Sequence, residues 1–302
     1  MAVAPQTEPR TEVVAGIATT GRPAVLRETL KYLASLPDVP DRVIVCTAGI
    51  EDFDGPLAEA LPFSLLVVEV ERGTCRQRNA MLDMIHGEEI LLFIDDDFMP
   101  SEGYFDAVRR LFDSRSDVVG ATGNVLADGI SGPGMNHDEG RAILNGMPTP
   151  DGAQVISEVY NAYGCNFAVR ASTVHAHGIR FDTSLPRYGW LEDVDFSRNL
   201  AQHGKFVRDS HMRGVHLGTK FGRSRGVPLG YSQIANPLYL IRKGTMSRPR
   251  ALRMIGRNLL ANMVKSFQPE PWVDRRGRLR GNFVALRDVV TGRACPERIL
   301  ML

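Results

Sequence analysis

The residues best suited to chemistry are acids, and they fall into two groups roughly a hundred positions apart, Asp95-Asp96-Asp97 and Glu192-Asp193 with Asp195 just beyond. Three successive carboxylates repel one another and lose hydration when they leave bulk water, so such a cluster is tolerated best where a cation neutralises it. Alternate positions let Asp95 and Asp97 face one Mg2+ or Mn2+ ion. An exposed turn capping a helix expected over about 104–112 accounts for the same residues without an ion. Glu192 and Asp193 open an expected helix, where acids serve as ordinary dipole and capping devices. Behind Gly189-Trp190, in a chain that already holds an acid cluster, they are also candidates for a general base.

Positive charge gathers in two other places. Arg72, Arg76 and Arg78 lie between a strand and a helix start, where guanidinium groups and free backbone N–H groups can be offered to one anion, a diphosphate being the natural candidate. Pairing with Glu71 and Asp83 is the plainer alternative. Lys220, Arg223 and Arg225 sit in a glycine-punctuated loop over 215–226, able to close over phosphates, although the Gly-Lys-Ser/Thr ending of a Walker loop is missing. His216 precedes them as a candidate third metal ligand, since imidazole completes a carboxylate site well for manganese; a structural histidine is the alternative.

Buried strands must position these groups. Glu89 to Ile94 is a run of β-favouring residues without alternation, as expected of a strand covered on both faces, and it delivers the acids at its carboxyl end. Ligands of open α/β sheets bind there. Further strands are expected over 12–18, 42–47, 64–70 and 118–123, over 159–170 with a break at Gly164, and briefly over 205–207. Leu26, Leu30, Leu33 and Leu36 recur at helical spacing before Pro37. The alternation predicts a parallel sheet with right-handed crossovers. The stretch 128–151 is rich in Gly, Pro, Asn and Asp and reads as a long functional or disordered loop, with His137 and Asp138 solvated in it.

The 302 residues suffice for a core without staples, and the four scattered cysteines suggest neither a disulfide framework nor a zinc site. The polar start is unlike a signal peptide, and no apolar run is long enough to span a bilayer, so a cytoplasmic protein is expected. From Arg242 to Leu302 there are 14 Lys and Arg against 4 Asp and Glu, a surplus of 10 on a chain whose net charge is +1. The apolar stripe Ala251, Leu252, Ile255, Leu259, Leu260, Met263 and Phe267 runs beside Arg250, Arg253, Arg257 and Lys265. An amphipathic helix on anionic lipid is expected, at the inner face of the cell membrane, although packing onto the body gives the same stripe. Nothing interleaves aromatic residues with the basic ones, which argues against nucleic acid. The expected divisions are a short N-terminus over 1–11, a catalytic domain over 12–230 and a basic helical extension over 231–302.

Several pieces in order resemble the family 2 glycosyltransferases with a GT-A fold, a Rossmann-like, doubly wound, mostly parallel α/β sheet. They are Thr19-Thr20-Gly21-Arg22-Pro23 after the first strand, Gly73 followed by Arg78-Asn79, Ile94-Asp95-Asp96-Asp97, Gly164 to Arg170, and Glu192-Asp193-Val194-Asp195-Phe196 with Gly204. The resemblance implies inverting transfer of a sugar from a nucleoside-diphosphate donor to a hydroxyl of a polysaccharide or lipid-linked glycan, assisted by Mn2+ or Mg2+. It further implies Asp95 and Asp97 as the Asp-x-Asp element, Asp97 as direct metal ligand with His216, and Asp193 as general base beside Glu192. Donor contacts would come from Thr19, Arg22, Arg78, Asp95, Asn166, Lys220 and Arg223, with Arg78 facing the diphosphate. The family commonly places a base-reading aspartate after the second strand. Here Val45-Cys46-Thr47-Ala48-Gly49 has none, so Thr47 or Asp52 would stand in, and a UDP-sugar is favoured over dTDP- or GDP-sugars. Nucleotidyl transfer to a sugar phosphate and a non-catalytic glycan- or lipid-binding module are the competing readings.

Overall fold

The computed structural model describes residues 10–55, 61–148, 153–220 and 226–302. The chain runs β1 (Val13–Thr19), α1 (Pro23–Ala34), β2 (Arg42–Thr47), β3 (Ser64–Glu69), α2 (Thr74–Asp83), β4 (Ile90–Asp95) and β5 (Phe98–Pro100). It continues through α3 (Tyr104–Ser114), β6 (Val118–Asp128), α4 (His137–Gly146), β7 (Ile156–Glu158), β8 (Asn166–Arg170), α5 (Ala171–Ala176), α6 (Glu192–Leu200) and β9 (Lys205–His216). Three helices close it: α7 (Gly226–Lys243), α8 (Arg248–Lys265) and α9 (Arg275–Val290).

One sheet of nine strands takes the order β3-β2-β1-β4-β8-β6-β9-β5, with β7 beside β9. β1 to β4 form the expected parallel half. β8 then inserts antiparallel between β4 and β6, and β6 and β9 run parallel again. The strand expected over 159–170 is thus confined to the part after Gly164. The short strand expected over 205–207 extends to His216, because pairing with β6, β7 and β5 supplies partners to its polar second half.

The pleat sends alternate side chains of one strand to opposite faces, and this divides the core. Val13, Ala15 and Ile17 of β1 and Ile90, Leu92 and Ile94 of β4 pack with Leu26, Leu30 and Leu33 of α1 and Phe105, Val108 and Phe112 of α3. Val14, Leu91 and Phe93 pack on the other face with Met81, Leu82, Phe167, Phe181, Phe196 and Leu200. Phe181 and Phe196 stack with ring centroids 4.0 Å apart.

The region expected to be loop over 128–151 contains α4, started by a capping box in which Asn136 and Glu139 each bond the other's backbone N–H. The C-terminal helices are seated on the body, since Leu240, Met246 and Ala251 belong to the second core. The stripe expected along α8 divides: Ala251 is buried, whereas Leu252, Leu260, Met263 and Phe267 are exposed. Among the described residues no helix is long and apolar enough to cross a membrane.

Candidate active site

The acid turn begins at the last residue of β4, and its three carboxylates diverge. Asp96 turns toward α1 and is fully buried; Thr19 donates to its Oδ2 at 2.6 Å, Arg22 Nη2 lies 2.6 Å from Oδ1, and Thr29 donates to its carbonyl at 2.6 Å. Burial pushes its carboxyl up to about 7 against the pull of Arg22. Asp95 and Asp97 instead face His216, whose Nε2 lies 3.8 Å from Asp95 Oδ2 and 3.4 Å from Asp97 Oδ1. The antiparallel β5–β9 pairing brings them together by setting Phe98 opposite His216.

One donor atom from each of Asp95, Asp97 and His216 lies within 4.8 Å of the others. Two carboxylate oxygens and an imidazole suit a divalent ion such as Mn2+. The surroundings fit that use. Asp128 Oδ1 sits 2.9 Å from His216 Nδ1, which leaves Nε2 for the ion and orients the ring; Tyr163 donates to the other Asp128 oxygen at 2.6 Å. Burial disfavours charge on His216, yet hydrogen bonds to Asp128 and Asp97 push its pKa up to about 10. Burial likewise works to raise Asp97, but the His216 contact, Arg22 and the Thr219 N–H at 2.7 Å hold it far below the usual carboxylate range. Asp95 is raised by burial despite Arg78 and His216.

Arg78 lies beneath the acids instead of open to the cleft, where a direct grip on a diphosphate was expected. Its guanidinium is 4% exposed and lies 5.3 Å from the Phe167 ring centroid and 5.5 Å from that of Phe93. It reaches Glu192 Oε1 at 2.6 Å, the Gly164 carbonyl at 2.6 Å and Asp95 Oδ1 at 3.4 Å. It therefore ties Asp95 to the second acid group. Glu192 is pushed up to about 8 by burial and by the charge of Asp193, against Arg78. Asp193 is half-buried; it accepts from Gly164 N–H at 3.0 Å and Val194 N–H at 2.8 Å. Burial raises its carboxyl, opposed by those amides and Arg78. Of the pair, Asp193 is the one with exposed surface.

The approach to these acids is strained. Arg187 and Leu191 have φ of 58° and 76°, a left-handed region that costs a non-glycine residue roughly 1–3 kcal/mol.

The other expected contacts fall in different places. Thr19 and Arg22 are at the acid turn, but Asn166 is fully buried; its Oδ1 accepts from Gly123 N–H at 3.0 Å and faces β6. Sheet pairing therefore claims Asn166, and donor contact is not where its side chain is directed. Lys220 gives its ammonium to the carbonyls of Gly129 and Ile130 at 2.9 and 2.8 Å. Arg223 and Arg225 lie outside the described residues. Arg76 pairs with Glu71, and Arg180 with Asp83. Asp52, buried after β2, accepts from the backbone N–H groups of Gly21 and Ala48 and so holds the turns that follow β1 and β2; Thr47 is also buried. His137, expected in solvent, lies 2.9 Å from Thr29 Oγ1. Asp128 and Thr29 were not visible as site residues, the first because it ends a strand read as loop, the second because it lies within a helix.

No family model matches the chain, and no curated protein matches it in sequence. Solved structures do match its fold. Staphylococcus aureus TarS 1–349 aligns over 96% of this chain and 82% of that one, with 15% identity and a TM-score of 0.55. The same protein in complex with UDP-GlcNAc gives 0.54 at 15% identity over 96% and 83%. GalNAc-T7 with UDP, GalNAc and Mn2+ gives 0.53 at 13% identity, over 94% of this chain and 59% of that longer one. The chain thus has the mixed α/β architecture of GT-A glycosyltransferases, with its acid turn at the carboxyl end of β4.

Proposed function

We propose that this protein is an inverting glycosyltransferase of the family 2 type, moving a sugar from a nucleoside diphosphate to a hydroxyl of a polysaccharide or lipid-linked glycan. The observation that carries the reading is the juxtaposition of Asp95, Asp97 and His216 with Glu192 and Asp193 through Arg78. Such a site has a place for a cation and, beside it, a carboxylate held by backbone amides. The neighbours solved with UDP-GlcNAc, or with UDP, GalNAc and Mn2+, support the donor class.

In this reading Asp95, Asp97 and His216 hold Mn2+ or Mg2+, which when bound neutralises charge growing on the leaving diphosphate. Arg22, 20% exposed beside Asp96 and Asp97, adds positive charge at the same place. Asp193 accepts the proton of the attacking hydroxyl, and its raised affinity for protons matches that duty. Arg78 and Glu192 hold the two sides in register.

The C-terminal helices support a location at a membrane surface. Leu252, Leu260, Met263 and Val264 of α8, Phe283 of α9 and Phe267 just beyond α8 are exposed, and the two helices also carry Arg248, Arg250, Arg253, Arg257, Arg276 and Arg280. Phe267, Leu279 and Phe283 with Arg276 and Arg280 line a groove of about 590 Å3. Exposed apolar side chains interleaved with cations suit peripheral contact with the anionic inner face of a membrane.

The test is a panel of UDP-, dTDP- and GDP-sugars, with Mn2+ and with chelator, read by melting temperature and by product. Metal-dependent stabilisation and release of nucleoside diphosphate are expected. Pyrophosphate as product would replace the reading with nucleotidyl transfer, and metal-independent binding with no turnover would replace it with a binding module.

A further inference from the structure

The strained segment before α6 has no intrinsic reason to keep its shape. Left-handed residues persist only when their surroundings over-determine them, and here α7 supplies several of the polar contacts that do so. Lys243, at the end of α7, places its ammonium 2.6 Å from Asp195 Oδ2 and 2.5 Å from Asp182 Oδ2. Asp195 is fully buried on the first turn of α6, and Thr245 donates to its other oxygen at 2.6 Å. Tyr239 donates to Asp182 Oδ2 at 2.7 Å. Asn236 donates to the carbonyl of Trp190 at 2.7 Å, directly before left-handed Leu191. Three side chains of one helix, together with Thr245, thus grip both ends and the middle of the segment 182–195. From the other side, Thr74 N–H donates to the Arg187 carbonyl at 2.9 Å and Cys75 Sγ to the Leu185 carbonyl at 3.4 Å.

We propose that Lys243 and Asn236 are positioning residues for the acid pair: they hold the segment 182–195 so that Glu192 meets Arg78 and Asp193 meets Gly164. Neither reaches Asp193 directly. Lys243 acts through Asp195, and Asn236 through the peptide preceding Leu191. Helix α7 is therefore part of the framework that positions the acid pair, which rests on the reading of Asp193 as base. Removing the ammonium leaves the buried Asp195 carboxylate without the ion pair that compensates its burial, and backbone displacements of about 1 Å at a catalytic group cost turnover about a hundred-fold.

The experiment compares Lys243→Met, Lys243→Arg and Asn236→Leu with the unaltered full chain. Hydrogen exchange is followed in peptides covering 185–195, with peptides covering β1 and β4 as reference. Nucleoside diphosphate release is followed with Mn2+ and each of a UDP-sugar and a GDP-sugar. Lys243→Met and Asn236→Leu should speed exchange in 185–195 while leaving β1 and β4 protected. Lys243→Met should lower kcat about a hundred-fold with the donor KM unchanged, and Lys243→Arg, which can still bridge two carboxylates, should recover most of it. Unchanged exchange in 185–195 overturns the proposal, as does equal loss of protection in β1 and β4 in both variants, which marks general destabilisation. A raised donor KM at constant kcat also overturns it. If the unaltered protein releases no nucleoside diphosphate from any donor, the transferase reading fails, and the exchange data still decide whether α7 holds the segment.

Discussion

His216 makes metal affinity a function of pH, with a slope that can be worked out. Pushed up to about 10 by Asp128 and Asp97 against the effect of burial, the metal-free imidazole carries a proton at neutral pH. An ion that binds through Nε2 must displace that proton. At pH 7.5 this costs roughly 3 kcal/mol, at about 1.4 kcal/mol for each pH interval below the pKa. Mn2+ affinity should therefore rise about tenfold per pH unit, or about a hundred-fold between pH 6.5 and 8.5. Calorimetric titration of MnCl2 into the protein, in two buffers of different ionisation enthalpy, should give about one proton released per ion at pH 7.5. Asp96, raised to about 7, and Glu192, raised to about 8, contribute at the edges of that range. His216→Asn isolates the main effect by abolishing most of the release. Affinity independent of pH, with no proton released, would refute the combination of Nε2 as ligand with an imidazole held protonated beside Asp97 and Asp128.

Other expectations are simpler. The metal-free protein should lose stability as pH rises from about 6.5 to 10. A histidine whose folded pKa lies above its unfolded value contributes stability that is complete below the unfolded pKa and gone above the folded one. Melting temperatures across that range, for the parent and His216→Asn, check it, and the variant should show the flatter curve. Asp193→Asn should keep the Mn2+-dependent melting shift with nucleoside diphosphates and lose release of the diphosphate by about 10²–10⁴-fold; normal turnover removes Asp193 from the role. Phe196→Ala, which empties one side of the Phe181 stack, should cost about 3–5 kcal/mol in urea unfolding, and a negligible change would contradict the packing described. Phe267→Ser combined with Phe283→Ser should weaken sedimentation with phosphatidylglycerol vesicles. Equal binding of the parent to neutral vesicles would count against the electrostatic part of that contact.

The parallel half of the sheet is plain in the sequence because β1, β2 and β4 are covered on both faces and read as continuous apolar runs. The acid turn follows from it, since a buried strand that ends in acids must present them at its carboxyl edge. The sequence is silent about direction, so β8 reads the same whether it joins parallel or antiparallel. β9 is hidden because Arg208, Asp209, Ser210, His211 and Arg213 break its apolar run, and strand character there comes from β5, β6 and β7, all distant in the chain. α4 has a proper capping box, but Gly140 and Gly146 in a short polar helix mask its period. Arg78 is misplaced by sequence reasoning for a physical reason. Aromatic rings and three oxygen partners compensate its burial, and none of those partners is adjacent in the chain.

The register of β5 against β9 has a consequence for assembly. Asp97 and His216 are 119 positions apart, and Phe98 faces His216 by a three-residue ladder. A slip of one position would turn the imidazole to the opposite face of the sheet, away from Asp95 and Asp97. Only the correctly threaded chain presents all three donor atoms together, so an ion held by them would stabilise this register over one slipped by a single position.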